Sequence, residues 1–161
     1  EEPKRSINMN SDEVQLIKKT WEIPVATPTD SGAAILTQFF NRFPSNLEKF
    51  PFRDVPLEEL SGNARFRAHA GRIIRVFDES IQVLGQDGDL EKLDEIWTKI
   101  AVSHIPRTVS KESYNQLKGV ILDVLTAACS LDESQAATWA KLVDHVYAII
   151  FKAIDDDGNA K

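Results

Sequence analysis

A chain of 161 residues, 42% hydrophobic and 27% charged, is long enough to bury an apolar core as one globular domain. Its formal charge of -6, from 19 basic and 25 acidic residues, argues against a nucleic-acid-binding face and leaves no polybasic segment for anionic lipid. Cys129 is the only cysteine, which excludes an intrachain disulfide and a zinc centre built on several thiolates, and it points to a reducing, cytoplasmic setting.

Residues 1–8 (EEPKRSIN) are charged and lack the apolar stretch of a signal peptide, so they are expected to be a tail or cloning remnant outside the fold. No apolar run approaches the roughly 18 residues that span a bilayer. Helical periodicity dominates, with no window of strict alternation long enough for a sheet. Ser11 is the expected N-cap of a first helix, followed by Asp12 and Glu13 at the positive end of its dipole. Val14, Ile17 and Trp21 form its apolar stripe, and Pro24 and Pro28 end it. A second helix is expected over residues 29–43, carrying Ile35, Leu36, Phe39, Phe40 and Phe43. Pro44 opens a short third helix, where its missing N–H costs nothing. Residues 50–56 (FPFRDVP) form a corner. A long helix follows over residues 57–84, with Phe66, Ala70, Ile73, Phe77, Ile81 and Leu84 on one face, and Gly85 and Gly88 break it. Leu93, Trp97, Ile100 and His104 mark the next helix, residues 89–104, which Pro106 stops. Two further amphipathic helices are expected over residues 110–128 and 132–154. The result is an all-α domain over residues 9–155, with residues 156–161 a flexible acidic tail.

The three histidines carry most of the chemical interest. His104 continues an apolar stripe and His69 lies at the edge of another, so both face the interior. Taken singly, such a histidine is more often a hydrogen-bonded core residue than a ligand; a pair on separate core-facing helices opens the second possibility. His145, between Asp144 and Val146, falls at the boundary of the last helix's buried face. The chain has no glycine-rich phosphate loop, HExxH, CxxCH or GxSxG. Asp155–Asp157 before Gly158 lacks the rest of a calcium loop, and Cys129 reads as a small packing residue.

The run Phe43-Pro44-Ser45-Asn46-Leu47-Glu48-Lys49-Phe50 closely resembles the globin segment from the end of the second helix to the corner phenylalanine. The resemblance continues through Asn63-Ala64-Arg65-Phe66-Arg67-Ala68-His69-Ala70 and resumes at Ile100-Ala101-Val102-Ser103-His104, with Trp21 also in place. Together these cover nearly all of residues 10–154, and the whole is most similar to intracellular insect haemoglobins of the fruit-fly type. The resemblance implies a globin fold of about eight helices sandwiching one non-covalent haem b. His104 would be the proximal iron ligand and His69 the distal histidine. Leu36, Phe50 and Ile73 would line the distal side and Ile100 the proximal side, with Val109 at the pocket's edge and Ser103 orienting the His104 ring. Gly32 would meet Ala70 where two helices cross closely. The separation of His69 and His104 is longer than in vertebrate globins, and the extra residues are expected around 85–89.

Arg72 and Arg107 are expected near the rim, either pairing with haem propionates or simply solvated. The implied function is reversible binding of dioxygen, and of CO and NO, by a monomer that stores, transports or supplies oxygen. His69 would either donate its N–H to bound dioxygen or, in the absence of gas, ligate iron directly, and the sequence leaves both open, with a lean to six-coordination. Haem redox chemistry, as nitric oxide dioxygenase or in peroxide turnover with a cellular reductase, and oxygen sensing are the alternatives. A non-haem reading is a helical interaction domain with both histidines packed in its core.

Overall fold

The computed structural model describes residues 8–160, so most of the expected tail over residues 1–8, and Lys161, lie outside the described residues. Six α-helices and three short 3-10 helices follow one another, with no strand among the described residues. Helix α1 spans Ser11–Val25. Its cap is Asn10 and not Ser11: Asn10 Oδ1 accepts from Glu13 N at 2.8 Å, while Glu13 Oε1 accepts from Asn10 N at 2.9 Å. The reciprocal box needs a carboxylate three residues on, and Ser11 has Val14 there. Pro24 sits inside α1 without ending it. Its missing N–H leaves the Thr20 carbonyl free, and the Cys129 thiol donates to that oxygen at 3.4 Å.

Helix α2, Pro28–Arg42, begins on a proline as its first residue, and a 3-10 helix, Pro44–Lys49, follows. The expected long helix over 57–84 is two elements, a 3-10 turn Leu57–Gly62 and helix α3, Ala64–Val83. Between them Asn63 is extended, and its side chain accepts from Phe66 N, capping α3. A strong cap three residues before the stripe begins at Phe66 outcompetes continuation of the helix. Gly85 and Gly88, at φ +84° and +77°, turn the chain into α4, Asp89–His104. A 3-10 turn, Ile105–Arg107, leads to α5, Lys111–Cys129, which Ser110 caps. Helix α6, Glu133–Ala160, continues past the expected end at residue 154.

Helices α2 and α3 pack most extensively, and α4 lies along α6. The first crossing is set by Gly32: a Cβ there would stand 2.0 Å from the Ala70 carbonyl oxygen. Trp21, Phe77, Trp97 and Trp139 are buried around α1, α3, α4 and α6. Their indole N–H groups are each satisfied, by Asp78, Ser80 and Thr20 respectively for Trp21, Trp97 and Trp139. This packing leaves α3 and α4 apart at the end where His69 and His104 stand, with α2, α5 and α6 closing the space around them.

Candidate functional site

His104 is the last residue of α4, and Pro106 in the turn beyond prevents the helix from running past it. Its Nδ1 lies 2.7 Å from the Ile100 carbonyl oxygen, one turn back, and 3.2 Å from Ser103 Oγ. A carbonyl can only accept, so Nδ1 carries the proton and Nε2 keeps its lone pair. Ser103 Oγ itself donates to the same carbonyl at 2.8 Å, fixing the ring's orientation from a second side. His69 stands on α3, edge-on to Phe50 with ring centroids 5.2 Å apart, and against Phe52 at 6.4 Å. Phe50 and Phe52 are themselves stacked, and Phe40 and Phe66 hold Phe52 edge-on. Corner residues therefore make a rigid aromatic wall for one imidazole, while a helix carbonyl aims the other.

Both histidines line one cavity of about 450 Å³. Leu36, Phe50, Arg72, Ile73, Ile100, Arg107 and Val109 line it too, as do Ser103 and Leu117. The walls are mostly apolar, and the exposed cations Lys49, Arg72 and Arg107 lie at its mouth. Burial pushes His69 down to about 4, helped by the positive fields of Arg72, His104 and Arg107. His104 is lowered as well, chiefly by burial, with the Ile100 hydrogen bond opposing. Both imidazoles are thus neutral near pH 7, the form in which ring nitrogen can serve as a metal ligand. Arg72 Nη2 lies 3.5 Å from His69 Nδ1, a weak contact at the limit of hydrogen bonding. Such a slot suits a flat apolar disc with a metal at its centre and anionic groups at one edge.

The chain matches the globin family over residues 33–150. It belongs to the globin family. It is 29% identical to globin CTT-VI of Chironomus thummi thummi over 148 residues, covering 91% of this chain and 89% of that one. Among solved structures it is similar to a Drosophila melanogaster globin, 99% identical with a TM-score of 0.91, covering 95% of this chain and all of that one. The same figures hold for a hexa-coordinate haemoglobin of Drosophila melanogaster described in cyanide binding and haem cavity transitions. The haemoglobin of the botfly Gasterophilus intestinalis is 40% identical, with a TM-score of 0.84 over 91% of this chain and 99% of that one. This globin is accordingly a haem protein, related to the hexa-coordinate fruit-fly globin. No helix among the described residues is long and apolar enough to cross a membrane.

The cavity's own chemistry fits haem: apolar walls for the porphyrin, a fixed neutral imidazole on α4, and cations at the mouth. Sequence reasoning missed several residues that line it. Lys49 precedes the corner Phe50, and a cation before the corner was a signal left unused. Tyr114 lies one turn before Leu117 and two before Ile121, on the α5 stripe that faces the cavity. Trp97 and Phe77 were assigned to the core, yet each shows an edge to the slot. Phe52 does not line the cavity but supports Phe50 and His69 from behind.

Proposed function

We propose that this globin binds dioxygen reversibly at a non-covalent haem b, with His104 the proximal ligand and His69 the distal histidine. Haem iron supplies the coordination position at which a diatomic gas, O₂, CO or NO, is held. Everything else is the work of side chains. The observation that carries the assignment is the carbonyl-locked His104 ring: its Nδ1 is spent on Ile100, so Nε2 alone is free for the metal, in the same cavity as His69. Leu36, Phe50, Ile73, Ile100 and Val109 bury the porphyrin faces at about 25 cal/mol per Å² of apolar surface removed from water, and they restrict solvent. Arg72 and Arg107 hold the propionates at the mouth.

His69 has two uses. When its N–H donates to a partly negative gas, the hydrogen bond contributes roughly 1.5–3 kcal/mol. The Arg72 N–H facing its Nδ1 favours this donor tautomer. With no gas present, His69 in its other tautomer would hold the iron together with His104, as the similarity to the hexa-coordinate fruit-fly globin supports. Occupancy of that state lowers apparent gas affinity in proportion to the fraction of protein left open. The function is cytoplasmic oxygen storage, transport or supply by a monomer; the half-buried Cys129 thiol, pushed up by burial, suits a reducing compartment.

Titration of the purified protein with haemin tests the assignment. One equivalent is expected to saturate the absorbance change, and a thousandfold excess over Kd adds about 4.1 kcal/mol of stability. His104→Ala should lose most of that gain. Unchanged haem retention in His104→Ala contradicts the assignment.

A further inference from the structure

The corner that carries Phe50 is tied to α5 by a small set of polar groups. Asn46 is the one buried residue of the 3-10 helix Pro44–Lys49, with 5% of its surface exposed. An amide taken out of water costs free energy unless it is paired, and both ends of this one are. Asn46 Nδ2 donates to the Phe43 carbonyl at 3.1 Å and to Gln116 Oε1 at 2.9 Å, while Oδ1 accepts from the Ser113 hydroxyl. The Ser110 hydroxyl donates to Ser113 Oγ at 3.2 Å, which leaves the Ser113 proton for Asn46.

This pattern fixes where the corner sits on α5. The Phe43 carbonyl only accepts, so it decides which end of the Asn46 amide is nitrogen; Gln116 must then present its oxygen and Ser113 its proton. Sliding the 3-10 helix along α5 breaks the Gln116 and Ser113 bonds together and strands buried polar atoms. Two other ties of this region are exposed, Lys49 Nζ with Thr108 Oγ1 at 3.2 Å and the ion pair of Arg42 with Asp123 at 2.6 Å, and such surface contacts hold weakly. Phe50 comes one turn after Asn46. Its N–H closes the 3-10 helix onto the Leu47 carbonyl at 3.1 Å, and its ring meets His69 edge-on at 5.2 Å. The clamp on Asn46 is thus passed directly to the wall against which His69 rests.

We propose that Gln116 and Ser113, acting through Asn46, are positioning residues that set how readily His69 leaves its place, and with it the share of protein open to a gas. The proposal rests on the assignment of His69 as distal histidine and iron ligand in that cavity. The link is entropic. A fixed wall leaves the released imidazole few places to go, so holding it costs little conformational freedom. A wall that yields gives the released ring more room and favours the open form, and apparent gas affinity rises with the open fraction. Gln116 does not line the cavity, and among the described residues its side chain hydrogen-bonds to Asn46 alone. A change at Gln116 therefore reaches His69 through the clamp.

The test uses haem-loaded ferrous protein without gas and measures the ratio of five- to six-coordinate absorption, together with the rate of carbon monoxide uptake at saturating gas. Gln116→Leu removes the acceptor. The ratio should rise about two- to fivefold and uptake should quicken by a similar factor, the upper figure corresponding to one neutral hydrogen bond of about 1 kcal/mol. Gln116→Glu keeps an oxygen in the same place and should leave the ratio within error of the native value. Ser113→Ala cuts the clamp from its other side and should repeat the Gln116→Leu result, which keeps the test in hand should that variant fold poorly. A ratio unchanged in both Gln116→Leu and Ser113→Ala overturns the proposal. An equal rise in Gln116→Leu and Gln116→Glu overturns it too, because the effect would then arise in α5 and not in the hydrogen bond. A native spectrum that is already five-coordinate removes the parent assignment of His69 itself.

Discussion

Helix α3 carries two unlike surfaces, and adjacent residues divide them. Ala70 meets Gly32 of α2 backbone to backbone, with no room for a single added carbon. His69, one residue earlier, turns towards an open cavity of about 450 Å³. The helical step of about 100° per residue separates the two faces. Close packing on one side and open space on the other are mechanically linked, because the α2–α3 seam fixes the distance at which the His69 wall stands from α4. A binding slot is made here by a seam that cannot yield beside it.

The largest expected effect comes from prising that seam apart. In Gly32→Val the new Cβ meets the Ala70 carbonyl oxygen, which is backbone and cannot swing away. We expect a loss of more than about 4 kcal/mol, within the exceptional range for single substitutions, read as a collapsed urea midpoint or unfolded protein. A midpoint within error of the parent would show that the crossing relaxes freely. Phe52→Ala attacks the slot's support instead of the seam. Phe52 is buried and touches Phe40, Phe50, Phe66 and His69, so a cost of roughly 3–5 kcal/mol is expected in urea unfolding. A cost well below 1 kcal/mol would mean that the aromatic wall is loosely held.

The smallest effect lies at the α4–α6 contact, away from both surfaces. Burial holds His145 below its ordinary value, opposed by the fields of Asp89 and Asp94. The folded state therefore favours neutral His145, and its contribution is complete above the unfolded pKa of about 6.5 and lost as pH falls from there. His145→Gln should flatten the acid limb of the thermal unfolding curve by under about 1 kcal/mol. A steeper acid limb in the variant would mean that the two aspartates outweigh burial.

The helices and the two interior histidines were legible because apolar spacing and the prolines around Phe43–Phe50 are local signals. Helix boundaries were less so. Ser11 looked like a cap until Asn10 and Glu13 paired reciprocally, and one helix was expected across Asn63, whose backbone N–H closes the 3-10 turn while its side chain caps α3. The supporting wall at Phe52 and the cavity edges of Trp97 and Tyr114 were not legible at all. These roles depend on which neighbour a buried ring meets across long sequence separations, and an apolar stripe reads the same whether it faces a partner helix or a cofactor. The Ile100–His104 bond could have been read as a candidate, since a helix-terminal histidine can turn its ring back onto the carbonyl four residues before it.

The most direct measurement is the absorption spectrum of the ferrous, gas-free protein beside that of His69→Leu. The account predicts a six-coordinate, low-spin spectrum for the native sequence, replaced by a five-coordinate one when His69 is lost. A five-coordinate spectrum in the native protein, identical to that of the variant, would contradict direct His69 ligation.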